Sequence, residues 1–136
     1  MLFRSLVATI FTCGCMLPVW PRAALLHAPL WPLALVAAFF MLLAWLNYHA
    51  IGRWEAGSGA AHITPAGLFL AFAGLVVAAS IRAGHPSAAL LIGLGAGSAV
   101  RLALLNRNCR TLTPLALRAS ADLVLLLPLI AVGLRS

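Results

Sequence analysis

Apolar residues run along this chain in unbroken stretches, and polar residues fall between the stretches rather than alternating within them. "LWPLALVAAFFMLLAWLNYHA" and "PSAALLIGLGAGSAVRLALLN" show the habit. Strict alternation would argue for strands, whereas continuous runs of this length argue for helices. A bilayer core about 30 Å thick takes roughly 20 apolar residues per helix. By that measure the pattern predicts five spans: Leu2–Trp20, Pro32–Ala50, Pro65–Ile81, Pro86–Leu105 and Pro114–Leu134. The last four open on proline, whose missing N–H costs nothing in a first helical turn. Thr64 and Thr113 each precede one of those prolines and are the expected N-caps.

The first stretch admits two readings. "MLFRSLVATIFTCGCMLPVW" has the positive start and short apolar body of a signal-like segment. No clean small-x-small cleavage site follows, and Thr12 and Cys13 break the lipoprotein pattern before Cys15. We expect a retained helix, with Pro21–Leu30 as an interfacial connector. The predicted fold is an all-α, polytopic transmembrane helix bundle in a single domain spanning residues 1–136. It has four core helices plus the extra N-terminal helix or signal-like segment.

Composition strengthens this reading. The chain is 64% hydrophobic and 8% charged, against roughly 25% charged residues in soluble domains. All nine basic residues are arginine, the acids are Glu55 and Asp122 alone, and the net charge is +7. The arginines stand singly between apolar runs, as helix-flanking anchors do, so a nucleic-acid partner is not expected. Five spans put Arg4, Arg53, Arg107, Arg110 and Arg118 on one side and Arg22, Arg82 and Arg135 on the other. The richer side should be cytoplasmic, which places the Arg107–Arg118 loop inside. Trp31, Tyr48 and Trp54 fit interfacial aromatic belts.

Little of the remainder suggests chemistry. His49 and His62 fall on the cytoplasmic side, while His27 and His85 fall on the other, so one ion cannot join all four. His49, Glu55, His62 and Cys109 could meet as mixed zinc ligands, but interfacial histidines at helix ends are the plainer reading, and no metal or cofactor is expected. Cys13 and Cys15 read as small buried apolar residues. "GLGAGS" lacks the preceding strand that a nucleotide loop needs. As helix it makes sense: Ala89, Gly93, Gly97 and Arg101 are spaced by four and share one face. Small residues at that spacing admit a neighbouring helix, and Gly67 with Gly74 offers a matching groove. Arg107, Arg110 and Arg118 serve topology first, and anionic-lipid contact second.

Two charges lie inside spans. Arg101 sits five residues before Asn106, a depth of roughly 8 Å, and Asp122 eight residues after Pro114, roughly 12 Å. Charges in hydrocarbon are costly and usually paired, so an Arg101–Asp122 pair between consecutive helices is expected, with Arg118 as the rival partner. Pro128 should kink the last helix.

Over residues 65–134 the chain resembles a domain-of-unknown-function family of small four-helix bacterial inner-membrane proteins. The matching residues are Gly67-Leu-Phe-Leu70 with Gly74, the small residues leading to Arg101-Leu102, and Asp122-Leu-Val-Leu with Pro128. "HITPAG" lacks the aromatic–arginine pair that the family carries before its first glycine, and the N-terminal segment is extra. The resemblance implies a four-helix bundle in the bacterial inner membrane, of a family with no known substrate.

The residues suggest a non-enzymatic protein that acts by helix packing, as an accessory or assembly subunit among lipids and other transmembrane helices. The alternative is a small oligomeric transporter or channel for an ion, lipid or small solute. A membrane enzyme would need a nucleophile–base set, and none is readable.

Overall fold

The computed structural model describes residues 10, 29–57, 61–109, 112–113 and 115–123. The described chain is helical throughout its regular structure. Three long helices follow one another: α1 (Trp31–Glu55), α2 (Ile63–Ile81) and α3 (Pro86–Arg107). A further helical stretch covers residues 115–123. The helices hold 25, 19 and 22 residues, so at 1.5 Å per residue they reach about 38, 28 and 33 Å. Each is long and apolar enough to cross a membrane. Leu2–Trp20 apart from Ile10, and with it Cys13 and Cys15, together with Arg110 and the last span from residue 124, with Pro128, lie outside the described residues.

The helices start near their prolines, as expected, but two ends differ from expectation. α1 runs past Ala50 to Glu55, because Ala50 and Ile51 are buried and Trp54 is bonded to α3. It stops at Gly57, whose φ is 63°. The Gly57 N–H donates to the Trp54 carbonyl at 3.1 Å, closing the helix with the left-handed residue that glycine adopts most readily. α2 begins at Ile63, and His62, not Thr64, stands at the N-cap without a side-chain bond. Thr64 is inside the first turn, and its hydroxyl accepts a bond from α3 instead. Thr113 does cap: its Oγ1 accepts from the Ala116 N–H at 3.3 Å.

α2 and α3 form an antiparallel hairpin across the turn at residues 82–85. Their seam is built from small residues. A Cβ added at Gly67 would stand 3.0 Å from the Ala99 carbonyl oxygen and 3.2 Å from the Ala103 Cβ. One added at Gly74 would meet the Ala96 Cβ at 3.3 Å. Without a hydrophobic drive between helices in lipid, such close backbone approach supplies the van der Waals contact that holds them. α1 lies over the hairpin. Val36, Phe39 and Leu43 enter one core with Ala71, Ile92, Ala96 and Ala99, and Leu46 and Ala50 enter a second with Ile63 and Leu102. The Trp31 ring meets the His85 ring edge-on at 4.7 Å, tying the start of α1 to the α2–α3 turn. The outer side of α2 shows Phe69, 74% exposed, and Phe72, 68% exposed, a surface suited to lipid tails that are as apolar as the side chains themselves.

Candidate functional site

Three places carry polar groups or unfilled space. The first is the end of the bundle where α1 and α3 finish and α2 starts. Here the Trp54 Nε1–H donates to Asn106 Oδ1 at 2.9 Å, and Asn106 Nδ2 donates to Thr64 Oγ1 at 2.9 Å. One buried amide thus joins all three helices. Arg118 reaches Glu55 at 3.5 Å (Nη1 to Oε1), with both side chains more than half exposed. An exposed ion pair of this kind contributes at most about 1 kcal/mol, so it orients the 115–123 stretch beside the end of α1 more than it stabilises it. Arg53 and Arg107 occupy the last turns of α1 and α3. Arg53, Arg107 and Arg118 thus gather at this end, and Arg82 stands at the opposite end; Arg4, Arg22, Arg110 and Arg135 lie outside the described residues.

The second place is deep in α1. Asn47 is 1% exposed, and neither its Nδ2 nor its Oδ1 has a hydrogen-bond partner among the described residues. Ser98 is buried on α3 and donates to the Leu94 carbonyl at 3.4 Å, the local bond that hydroxyls in helices commonly make.

The third is the outward face of α3. Ala89 is buried, but a Cβ added at Gly93 or Gly97 would meet nothing within 4 Å among the described residues. Gly97 therefore lies off the closely packed α2/α3 seam and Gly93 only borders an open groove beside it, contrary to expectation. The seam falls one helical position away, on Ala96, Ala99 and Ala103, and it engages Gly67 and Gly74 from α2. Gly95, which the spacing argument passed over, packs instead: its Cβ would lie 2.7 Å from Phe39 Cε1. A glycine pattern shows that some face is flat but not which of two adjacent faces a neighbour uses.

The expected pair is also absent among the described residues: no ion pair joins Arg101 to Asp122, and both are exposed. Arg101 shares the outward face of α3 with Gly97 and Leu104, while the stretch carrying Asp122 meets the end of α1 where Arg118 reaches Glu55. Arg118 pairs with Glu55 and not with Asp122.

His49 stacks on Trp45 one turn earlier, with ring centroids 5.4 Å apart. No three His, Cys, Asp or Glu side chains gather in a metal-holding group among the described residues. Cys109 is a half-buried free thiol. Beside Gly93 an open groove of about 650 Å³ runs between α2 and α3, with Ala78, Ala79 and Leu90 in its walls and Arg82 at its mouth.

No protein-family model, curated protein or solved structure matches this chain. Its class rests on the fold: three long apolar helices packed through small residues, with large apolar side chains turned outward, make a helix-bundle membrane protein.

Proposed function

We propose that this protein is a non-enzymatic accessory or assembly subunit of a membrane complex, docking through the outward face of α3 around Gly97 and Arg101. The observation that carries the reading is the division of labour among the glycines. Gly67, Gly74 and Gly95 are packed against other helices of the chain, whereas Gly97 is exposed and a Cβ there would meet nothing within 4 Å among the described residues. Beside it Arg101 lies six residues inside the end of α3, a depth of roughly 9 Å, with no carboxylate partner among the described residues. A partner helix that brings a small-residue face and a carboxylate at that depth would fill the flat surface and offset the cost of the charge. The site is the bacterial inner membrane, with the Arg107–Arg118 loop in the cytoplasm, as the arginine distribution favours.

The test is purification from native membranes in mild detergent. A stoichiometric second chain should co-purify with the wild type and be lost from Gly97→Leu and from Arg101→Leu, each still folded. A homo-oligomer alone would oppose the reading. One observation favours the second reading, a transporter or channel: Asn47 keeps an unbonded amide deep among apolar helices, where polar groups commonly line solute paths. Reconstituted vesicles that leak an ion or small solute through wild type but not through Asn47→Leu would support it.

A further inference from the structure

The groove between the second half of α2 and the first half of α3 differs from the Gly97 face in one respect: it has a defined volume with a cation at one end. Its walls are apolar and small, with Ala78 and Ala79 from α2 and Ala89 and Gly93 from α3, and Leu75 and Leu94 lie farther from the mouth. At about 650 Å³ it is in the range of small-molecule sites. At the mouth stand Arg82, which caps the C-terminal end of α2, and the Ser87 hydroxyl in the first turn of α3. Arg82 is exposed. Among the described residues no carboxylate faces it: of the two acidic side chains, Glu55 is paired with Arg118 at the opposite end, and Asp122 lies on the same stretch as Arg118.

We infer that this groove binds one anionic phospholipid, with an acyl chain along the Ala78–Ala79–Gly93 wall and the phosphate on Arg82. Both halves of the site follow from what is present. An apolar groove that opens sideways from a membrane helix pair is filled by hydrocarbon, the solvent around it. The planar guanidinium supplies two parallel donors matched to phosphate oxygens, and the Ser87 hydroxyl supplies another. A zwitterionic lipid fills the groove equally well and offers the same phosphate, but its ammonium group cancels that charge and leaves the site with a net positive charge, so selectivity comes from the headgroup and depth of seating from the small residues. This site lies at the opposite end of the bundle from Arg53, Arg107 and Arg118, and it is independent of a partner helix at Gly97.

The experiment is native mass spectrometry of the full chain in mild detergent, titrated separately with phosphatidylglycerol, phosphatidylcholine and inorganic phosphate. One phosphatidylglycerol should be retained at concentrations at which phosphatidylcholine and phosphate are not. Arg82→Gln should weaken retention roughly tenfold, the scale of one lost charge-assisted bond. Ala79→Leu, which fills the groove from an exposed position, should weaken it for every lipid tested. Arg107→Gln, at the other end, should leave it unchanged. Helicity by circular dichroism checks that each variant is folded. Equal retention of phosphatidylcholine, phosphate binding alone, or retention that survives both Arg82→Gln and Ala79→Leu would overturn the inference.

Discussion

Phe39 is the most informative side chain to perturb, because two glycines from two different helices hold opposite edges of its ring. A Cβ at Gly74 would stand 2.6 Å from Phe39 Cε2 and 2.9 Å from Cζ, and a Cβ at Gly95 would stand 2.7 Å from Cε1. Neither distance is tolerable, so the ring must move. In Gly74→Ala it can swing towards Gly95, and in Gly95→Ala towards Gly74. Each single substitution should therefore cost little. Overpacking takes about 1–3 kcal/mol, and alanine's better helix propensity returns roughly 1 kcal/mol. In the double variant both escapes are closed. The double should be worse than the sum of the singles by about 1 kcal/mol or more, within the range seen for residues sharing one contact. Phe39→Leu should remove that excess, since the shorter side chain no longer reaches both methyl groups. Gly97→Ala is the control: it meets nothing and should be neutral or slightly stabilising. The assay is unfolding in detergent micelles, followed by tryptophan fluorescence and circular dichroism. Additive singles, or a Gly97→Ala loss as large as that of Gly74→Ala, would refute the packing described here.

Other outcomes follow from the polar groups. Asn106→Leu removes two hydrogen bonds and strands the Trp54 indole N–H, so it should destabilise by about 1–3 kcal/mol in the same unfolding assay, with Thr64→Val costing less. Asn47→Leu removes a buried amide that has no partner, and it should raise the melting temperature. A fall would mean that the amide is bonded in the folded protein. Arg118→Ala should change stability by less than about 1 kcal/mol because its pair is exposed. A larger loss would mean that the pair anchors the 115–123 stretch.

Three of the five expected spans are seen among the described residues, and they were legible because uninterrupted apolar length is a one-dimensional property and prolines mark where helices start. Pro32 and Pro86 did so at the first turns of α1 and α3. The end of α1 was less legible. The polar run "NYHAIGRWE" reads as an exit from the membrane, yet the helix continues because Trp54 finds its acceptor 52 residues away, on Asn106. Asn106 itself carried no sequence signal beyond marking the end of a span. Its role depends on Thr64 and Trp54 converging in three dimensions. The misassigned glycine face has a related cause. Gly93, Gly95 and Gly97 lie within five residues, and only the position of Phe39 decides that Gly95 is the one packed. Pairing Arg101 with Asp122 by depth ignored azimuth: equal depth on two helices does not make their side chains face each other.

The Gly97–Arg101 face is proposed to receive another protein helix. Photo-crosslinking in native membranes tests this from a benzoylphenylalanine at position 104, which is exposed on the same face and leaves Gly97 intact, with position 72 on the exposed side of α2 as reference. Position 104 should give one discrete adduct, with the mass of this chain plus a different protein, and position 72 only lipid adducts. Lipid adducts alone from position 104, or an adduct with the mass of two copies of this chain, would contradict the proposal.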